Sequence, residues 1–506
     1  MPKYKETDAA YGQCLMLPID LSKQLLPGTF EYMLNDLIGK EIDVSIFDTN
    51  YKNDITGASA IPPAILLKLI FYGYHKGQNS SRKIWNLSRE NIVAKALTGD
   101  MEIHWTTIAA FISCNNAKVK EIFTRVLIYS VELNLIGGET FAEDSLRLRS
   151  NASIENSGTI EQLKKRVEVY KKMAEKQVMR HMATDREVEI AEKAQTSFEK
   201  RQKELKHRIE TMQRFVSTQE DKKGKEGQPL QSNVTDNESA MIKSSKGFIQ
   251  GYVGIAIADE KNQVIVSAQA FGTANEGEHM SVMLDNLVEN MGTVGMPIDK
   301  EKRPTMLADA NYFSEENLRA CEERGFEAII PDVQEKRRLD DEGKKKYDIN
   351  DFTYKETENN YVCPCGKCLV YKGIEVQNGV EREIYQASLT DCKACAHFSQ
   401  CSWSKNEQSK LNQGRKLLVP KAKKPVEGGN QCRKMREKLA TEKYQAKYAR
   451  RIQIVEPVFA NIRYCKRLDR FTLRGKEKVN AQWQLYCIVH NLGKCLNRYN
   501  ERKKYA

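Results

Sequence analysis

Apolar residues recur every three or four positions through the first part of the chain, up to about residue 135. This spacing predicts helices, one opened by a pair of prolines, a second by Ser80 or Ser81, and a third by Thr106 or Thr107. Short helices joined by small polar turns are typical of a helix-turn-helix bundle, but the pattern fits a plain helical packing domain equally well. The sequence therefore predicts an all-α N-terminal domain.

Residues 160–216 keep a helical spacing of apolar positions within highly charged sequence. This pattern predicts two long helices, and a break near Thr184 and Asp185 would let them fold back as an antiparallel hairpin. Residues 217–247 are polar and rich in turn-forming residues, so they are predicted to form an exposed linker.

The spacing changes to a period of two after residue 248, where two β-branched runs flank the turn 259–262. Residues 305–332 then predict a strand, a helix and a second strand. A further strand near 140–149 carries Asp144 and precedes all of these elements. The order of strand, hairpin, strand, helix and strand predicts a mixed sheet with antiparallel and parallel parts, as in an RNase H-like α/β fold flanked by helices.

Asp309 follows the apolar residues 306–308 and precedes a helix for which Ser314 is the predicted N-cap. A carboxylate just beyond the carboxyl end of such a strand lies where open α/β sheets bind their ligands. The alternative is that Asp309 only caps a turn, and its local sequence fits both interpretations.

Charge is distributed unevenly along the 506 residues, whose 80 Lys and Arg and 68 Asp and Glu give a net charge of +12. Residues 402–506 alone contain 27 basic and 8 acidic side chains, a net of +19, interleaved with Trp and Tyr. Such a basic folded region predicts binding to a polyanion. No apolar run is long enough to span a membrane and no apolar signal core follows Met1, so a cytoplasmic, nucleoid-associated protein is expected.

Six of the 13 cysteines lie close together between residues 363 and 401. Two clusters about two dozen residues apart predict a structural zinc site in a small ribbon, although free thiols in a loop remain the alternative. The preferred ligands are Cys363, Cys368, Cys392 and Cys395, with Cys401 and then His397 as substitutes.

Three carboxylates from different elements could serve phosphodiester chemistry, in which hard divalent cations require several oxygen ligands. Asp144 and Asp309 follow from the predicted sheet. Glu456 follows from a later helix with an apolar stripe and many basic residues, although a solvated helix carboxylate is the alternative for a single Glu.

The segments "FAEDSLRLRSNAS", "LADANYFSEENL" and "YARRIQIVEPVFANIR" together resemble the three signature blocks of DDE transposases from bacterial insertion sequences. The likeness runs from about residue 60 to the C-terminus, and it is to the branch with helical-hairpin and cysteine-bearing insertions. The resemblance implies Asp144, Asp309 and Glu456 as the ligands of two Mg²⁺ or Mn²⁺ ions. It also implies a signature of tyrosine, arginine, glutamate and lysine.

That signature is represented by Tyr448, Arg451, Glu456 and Arg463, with an arginine in place of the usual lysine. The gap between arginine and glutamate is one residue longer than in the commonest form, and "EDSL" stands where many relatives have Asp followed by Gly. The residues expected to bind DNA are Tyr448, Arg451, Arg463, Lys466, Arg467, Arg470 and Arg474.

The resemblance implies a transposase that binds the inverted-repeat ends of its element, cleaves DNA strands and transfers them to a target, as a homodimer in a synaptic complex. A catalytically inactive or domesticated DNA-binding protein is the alternative. The expected divisions are an N-terminal domain for DNA ends (1–135), a first catalytic strand (136–159), the hairpin (160–216), the linker (217–247), the catalytic core (248–335), the cysteine-rich insertion (336–402) and a basic region completing the catalytic domain (403–506).

Overall fold

The computed structural model describes residues 18–51, 59–184, 192–224, 227–244, 247–332, 347–377, 380–401, 413–421 and 431–505. The chain divides into two compact units, one formed by residues 1–111 with 496–506 and the other by residues 112–495. None of the described helices is both long enough and apolar enough to cross a membrane.

The first unit is helical, as its sequence predicts. Its helices are α1 (Phe30–Leu37), α2 (Pro63–His75), α3 (Ser81–Glu90), α4 (Ile92–Thr98) and the start of α5 (Trp105–Cys114). The Ser80 hydroxyl accepts a hydrogen bond from the backbone N–H of Lys83, which identifies Ser80 as the N-cap of α3. Helix α5 begins at Trp105, one residue before the threonines predicted to open it.

The second unit is built on a six-stranded mixed sheet. Its elements begin with α6 (Asn116–Glu132) and β1 (Thr140–Arg149), followed by α7 (Ile160–Thr184), α8 (Glu192–Thr218) and the two-residue strands β2 (Ser157–Gly158), β3 (Lys222–Lys223), β4 (Pro229–Leu230) and β5 (Ser232–Asn233). The sheet itself continues with β6 (Ala240–Ser244), β7 (Gly247–Asp259), β8 (Ile265–Phe271), α9 (Met280–Thr293), β9 (Thr305–Ala308), α10 (Glu315–Glu323) and β10 (Glu327–Ile329).

The strand order is β10-β9-β1-β7-β6, and β8 also pairs with β7. Strand β1 runs parallel to β9 and antiparallel to β7, and β9 runs parallel to β10. The prediction of a mixed α/β sheet with an antiparallel hairpin and a parallel part is confirmed. The hairpin turn falls where it was predicted, because β7 ends at Asp259 and β8 begins at Ile265.

A second, five-stranded antiparallel sheet contains the cysteine-rich segment. It consists of β11 (Thr353–Lys355), β12 (Asn360–Val362), β13 (Cys368–Gln377), β14 (Val380–Ala387) and β15 (Lys416–Pro420), with the short helices α11 (Leu389–Lys393) and α12 (Phe398–Cys401). The chain ends with α13 (Gln431–Leu439), α14 (Glu442–Ala460) and α15 (Lys476–Tyr505). Tyr361, Leu369, Tyr385 and Leu417 form the core of this second sheet.

Helices α7 and α8 confirm the two long helices predicted for 160–216, and Leu163, Val167, Ile209 and Met212 pack between them. The predicted break near Thr184 and Asp185 falls at the boundary of the described residues, since residues 185–191 lie outside them.

The segment predicted as an exposed linker differs from that expectation. Strand β6 pairs with β7, and Asn233 and Asp236 are buried. The polar side chains bond to one another: the Asn233 amide donates to the Ser157 hydroxyl at 2.8 Å, and the Tyr252 hydroxyl donates to Asp236 at 2.8 Å. Turn-forming residues can be buried when their hydrogen bonds are made within the protein. The spacing of apolar residues in the sequence does not reveal such hydrogen bonds between polar side chains.

Strand β1 also buries a carboxyl group. The Glu143 side chain is fully buried, and neither of its oxygens has a hydrogen-bond partner among the described residues. Burial raises the pKa of Glu143 well above its usual range, and the nearby carboxylates, first that of Asp144, raise it further. Tyr312 and Cys321 are buried as well, and burial raises the pKa of both side chains.

Replacing Glu143 with Gln should change how stability depends on pH. The folded protein keeps the Glu143 proton above the pH, about 4.3, at which an unfolded chain releases it. Unfolding therefore releases a proton in this window, and the free energy of unfolding falls as pH rises, by at most about 1.4 kcal/mol per pH unit. Because Gln does not titrate, the stability of Glu143→Gln relative to the natural protein, measured by chemical unfolding, should increase as pH rises above about 4.3. Glu139→Gln, at an exposed position just before β1, is the control for removing a carboxylate from the surface. A difference that stays constant with pH for Glu143→Gln would contradict the burial of a neutral carboxyl group.

Candidate active site

Asp144 and Asp309 lie close together because of the register of β1 and β9. Glu143 lies beside Ala308 in the last residue pair of this parallel register, so the next residue along each chain segment is an aspartate. Their proximity is reflected in the pKa of Asp309, which is raised by burial first, then by Glu276, with Asp144 as a further contributor. The predicted pair is therefore brought together, with Asp309 just beyond the carboxyl end of β9 and Asp144 in the middle of β1, which continues to Arg149.

Asp144 pairs with a cation from α14. Its Oδ2 lies 2.9 Å from Nη1 of Arg451, and only 23% of the Asp144 side chain and 15% of the Arg451 side chain are exposed. Burial raises the pKa of Asp144, whereas the Arg451 guanidinium and the backbone N–H of Ser145 oppose that rise. Alternation along the strand places Asp144 toward α14 and Glu143 on the opposite face.

Asp309 is both a cap and a member of this acidic site. Its Oδ1 accepts the backbone N–H of Asn311 at 2.9 Å, at the start of a 3-10 turn over Ala310–Tyr312. Ser314 caps the following helix α10 by accepting the N–H of Asn317 at 3.2 Å. The two interpretations of Asp309 are thus compatible, because capping uses one oxygen and the carboxylate stays at the site.

Glu276 is a site residue that the sequence analysis missed. It is buried at the start of a 3-10 turn, Glu276–His279, and accepts hydrogen bonds from Ser145, Arg147 and Asn311. The surrounding "GTANEGEH" has no helical or strand period that would single this glutamate out. Glu143 did carry a signal, because a central strand flanked by a parallel neighbour is buried on both faces, and an adjacent Glu and Asp there must both be buried.

Glu456 lies on the same helix as Arg451 but is exposed. Five residues turn an α-helix through about 140° beyond a full turn, so the two side chains leave α14 in different directions. Val455 and Phe459, which adjoin Glu456 on the helix, are buried. Glu456 makes no hydrogen bond or ion pair with the residues that the structure describes. The structure thus joins Asp144 and Asp309 to α14 through Arg451, and it does not bring Glu456 into contact with them.

A divalent cation would need several oxygen ligands, and the carboxylates of this site are the suitable donors. Over the described part of the chain, no three His, Cys, Asp or Glu side chains stand in an arrangement that could hold a metal ion. Asp144, Asp309 and Glu276 nevertheless interact electrostatically. A bound cation would offset the repulsion between these carboxylates, which burial strengthens.

The basic residues after α14 differ in their exposure. A π-helical turn, Asn461–Cys465, follows the helix, and π-helical turns are frequent at functional sites. The side chains of Arg463, Arg467, Arg470 and Arg474 are exposed, and Tyr464 beside them is 73% exposed. Lys466 is different: it is buried, its ammonium donates to the Asn461 side chain, and burial lowers its pKa to about 8.

Five of the six clustered cysteines interact with one another. Cys365 contacts Cys395, and both Cys365 and Cys401 interact electrostatically with Cys363 and Cys395. Burial raises the pKa of Cys365 to about 12 and that of Cys401 to about 11. Cys392 also interacts with Cys401, whereas Cys368 is exposed at the start of β13.

Backbone N–H groups point at two of these sulfurs, as they do in metal-binding turns. Lys367 N donates to Sγ of Cys363 at 3.2 Å, and Arg415 N donates to Sγ of Cys392 at 3.4 Å. Such bonds favour the thiolate that binds a metal. The zinc site stays a prediction, since the described residues contain no three-ligand arrangement.

Comparison with known proteins adds two family matches. The model described as "Transposase DDE domain" matches residues 362–496, which include Glu456 and the cysteine-rich segment. The model described as "Transposase domain (DUF772)" matches residues 20–114, within the helical first part of the chain. No curated protein and no solved structure matches the chain. Together these two matches indicate a DDE transposase of insertion-sequence type.

Proposed function

We propose that this transposase binds the inverted-repeat ends of its insertion sequence, cleaves DNA strands in a metal-dependent reaction and joins the element to target DNA. The observation that carries the proposal is the proximity of Asp144 and Asp309, which directly follow the last residue pair of the parallel β1–β9 register. Both carboxylates are partly buried, and Asp144 raises the pKa of Asp309, so a divalent cation would remove the repulsion between them.

In this proposal Asp144, Asp309 and Glu456 hold two Mg²⁺ or Mn²⁺ ions. Support for Glu456 comes from its position on α14, the helix that reaches Asp144 through Arg451. When bound, such ions activate a water or a 3′-hydroxyl and stabilise the leaving oxygen of an in-line displacement. The protein itself contributes the carboxylates and the Arg451 guanidinium that pairs with Asp144.

Arg451 has a second proposed role at the DNA backbone. Its guanidinium contacts both Asp144 and Tyr448, so it lies between the carboxylates and the outer part of α14. An arginine presents a planar fork of donors that fits a phosphate group. We therefore place a phosphate next to the scissile bond within reach of Arg451 and Tyr448.

Further DNA contacts are proposed for the basic residues beyond α14. Arg463, Arg467, Arg470 and Arg474 are exposed and Tyr464 offers an uncovered ring, a combination typical of nucleic-acid surfaces. Lys466 is left out of this group because its ammonium is buried. The helical N-terminal domain is proposed to recognise the element's ends, and a homodimer to hold two ends together.

Asp309→Asn should abolish strand cleavage while binding to end-bearing DNA stays within about twofold. Asparagine still accepts the N–H of Asn311, so the cap survives while a charged metal ligand is lost. Cleavage of a labelled duplex in Mg²⁺ and binding to the uncut duplex would be measured together. Asp285→Asn, at an exposed carboxylate on α9, is the matched control and should cleave normally.

Retained cleavage by Asp309→Asn would contradict the assigned ligands. Binding without cleavage by the natural protein under the same conditions would instead favour the alternative, a DNA-binding protein that has lost its catalytic activity.

Replacing Arg463, Arg467, Arg470 and Arg474 together with Gln should weaken binding equally for end-bearing and random duplexes. The slope of log affinity against log salt concentration should fall by up to about 4, because each phosphate contact releases close to one counterion. The control is replacement of Lys300 and Lys302, exposed cations before β9, with Gln. An unchanged slope in the fourfold variant would show that these four arginines do not contact the DNA phosphates.

A structural zinc ion is proposed for the cysteine-rich segment, held by Cys363, Cys392, Cys395 and Cys401. Cys401 replaces Cys368 in this set because it interacts with the other three, whereas Cys368 is exposed. The donor set fits zinc, since four thiolates are its common structural ligands.

Elemental analysis should find about one zinc per chain, in keeping with a single four-thiolate site. The double variant Cys392→Ser and Cys395→Ser should lose it, and proteolysis should then cut within residues 360–402, because zinc supplies local folding free energy. Cys114→Ser, at an exposed cysteine outside the cluster, should keep its zinc. A metal-free natural protein that resists proteolysis there would show that the cysteines are simply packed.

A further inference from the structure

Glu276 lies immediately behind Asp309 and is bonded to β1. Its Oε1 accepts from Nη2 of Arg147 at 3.2 Å and from Nδ2 of Asn311 at 2.7 Å, and its Oε2 accepts from the Ser145 hydroxyl. Only 5% of its side chain is exposed. A carboxyl group with donors from three side chains is held in one orientation by the strand that carries Asp144.

The Asn311 amide connects Glu276 with Asp309. Its Nδ2 donates to Oε1 of Glu276 at 2.7 Å and to Oδ2 of Asp309 at 3.1 Å, so both amide hydrogens are directed at carboxylates. A carboxylate only accepts hydrogen bonds, so a reversed amide would place its oxygen against two carboxylates. Glu276 therefore determines which way the amide points and, through it, which donor Asp309 receives.

The two 3-10 turns that carry these residues are packed too closely to shift independently. A Cβ atom on Gly277 would lie 2.4 Å from the backbone oxygen of Asn311. The side-chain amide of Asn317 also donates to the Gly277 carbonyl at 2.8 Å and to the Tyr312 carbonyl at 2.9 Å. The distance between Glu276 and Asp309 is thus set by backbone packing, and the Asn311 amide spans it.

We propose that Glu276 is a positioning residue that orients the Asp309 carboxylate for its divalent cation through the side-chain amide of Asn311. This inference rests on the proposed function, in which Asp309 is a metal ligand. Hydrogen-bond partners behind a ligating group fix its orientation, and their loss typically costs about 10- to 100-fold in metal affinity or activity. We assign Glu276 the positioning role because it reaches Asp309 through the Asn311 amide, while Ser145 and Arg147 of β1 hold its carboxylate from the other side.

Ser145 has a defined part in this arrangement. Ser145 directly follows Asp144 on β1, and its hydroxyl donates to Glu276. The residue next to the proposed metal ligand thus supplies one of the three donors that hold the positioning residue.

The test is a Mn²⁺ titration of strand cleavage on an end-bearing duplex, using the full chain. In Glu276→Gln an amide NH₂ group replaces one carboxylate oxygen. This group cannot accept a hydrogen bond, so a donor from Arg147 or Asn311 would lose its acceptor. The Mn²⁺ concentration for half-maximal cleavage should rise at least about 10-fold, and cleavage should recover at saturating Mn²⁺. Affinity for the uncut duplex should not change, which a general loss of structure would not allow.

Two further variants make the result specific. Glu278→Gln is the matched control, because Glu278 lies in the same 3-10 turn and accepts only from Asn275 among the described residues. Its Mn²⁺ concentration for half-maximal cleavage should equal that of the natural protein. Asn311→Ala should shift the Mn²⁺ requirement as Glu276→Gln does. The double variant should shift it no further than the larger single effect, since both changes interrupt one connection. Asn311→Ala also keeps the test available should Glu276→Gln not fold.

Three outcomes would overturn the inference. Glu276→Gln could have the same Mn²⁺ requirement for cleavage as Glu278→Gln. Alternatively, the increases in Mn²⁺ requirement caused by Glu276→Gln and Asn311→Ala could multiply in the double variant. Glu276→Gln could also lose Mn²⁺ binding entirely, by electron paramagnetic resonance, while Asn311→Ala binds normally; Glu276 would then be a direct ligand. Failure of the proposed function looks different, because Asp309→Asn would cleave or the natural protein would show no Mn²⁺-dependent cleavage.

Discussion

The register of β1 against its two neighbours is the constraint on which the rest of the active site depends. A slip of one residue would exchange the faces of Glu143 and Asp144, moving Asp144 away from Arg451 and into the buried layer beneath Tyr312. Hydrogen bonds at the start of β1 oppose such a slip. The buried carboxylate of Asp259, at the end of β7, accepts the backbone N–H groups of Gly137 and Gly138 at 3.0 and 2.8 Å. Gly138 has φ +78°, a conformation that favours glycine, so the chain enters the strand at a defined point.

The four carboxyl groups of Glu143, Asp144, Glu276 and Asp309 gather around the middle of this strand, and each is accommodated in a different way. Glu143 has its pKa raised by burial, Asp144 pairs with Arg451, and Glu276 accepts from Arg147, Ser145 and Asn311. Asp309 accepts hydrogen bonds only from Asn311 within the described residues. It is therefore the carboxylate for which a bound cation would bring the largest change, because its present partners are neutral. Arg451 is the cation that such an ion would compete with at Asp144.

Sequence periodicity predicted the elements of this fold better than it predicted their contacts. The mixed sheet, the hairpin turn after Asp259 and the long helices α7 and α8 all follow from local spacing of apolar residues. The pairing of Asp144 with Asp309 was implied by the resemblance to DDE transposases, and spacing alone placed only Asp309 beyond the end of a strand. Glu276 was not predicted, since it lies in a short 3-10 turn whose importance comes from partners more than 30 residues away. The burial of Asn233 and Asp236 was missed for the same reason.

The attachment of the cysteine-bearing sheet to the catalytic sheet depends on one buried cation that no spacing rule would identify. Arg436 on α13 is 8% exposed in its side chain and pairs with Asp332, Asp348 and Asp351, at 2.9, 3.6 and 2.6 Å. Asp332 follows β10, and Asp351 precedes β11. Removing one partner from such a buried group leaves uncompensated charge, so the arrangement favours a single geometry. Helix α14 begins only a few residues after α13, and the helix that carries Arg451 and Glu456 is thereby fixed to both sheets. The basic charge that predicts DNA binding from sequence thus includes a buried arginine whose ion pairs connect the two sheets with the helices that follow them.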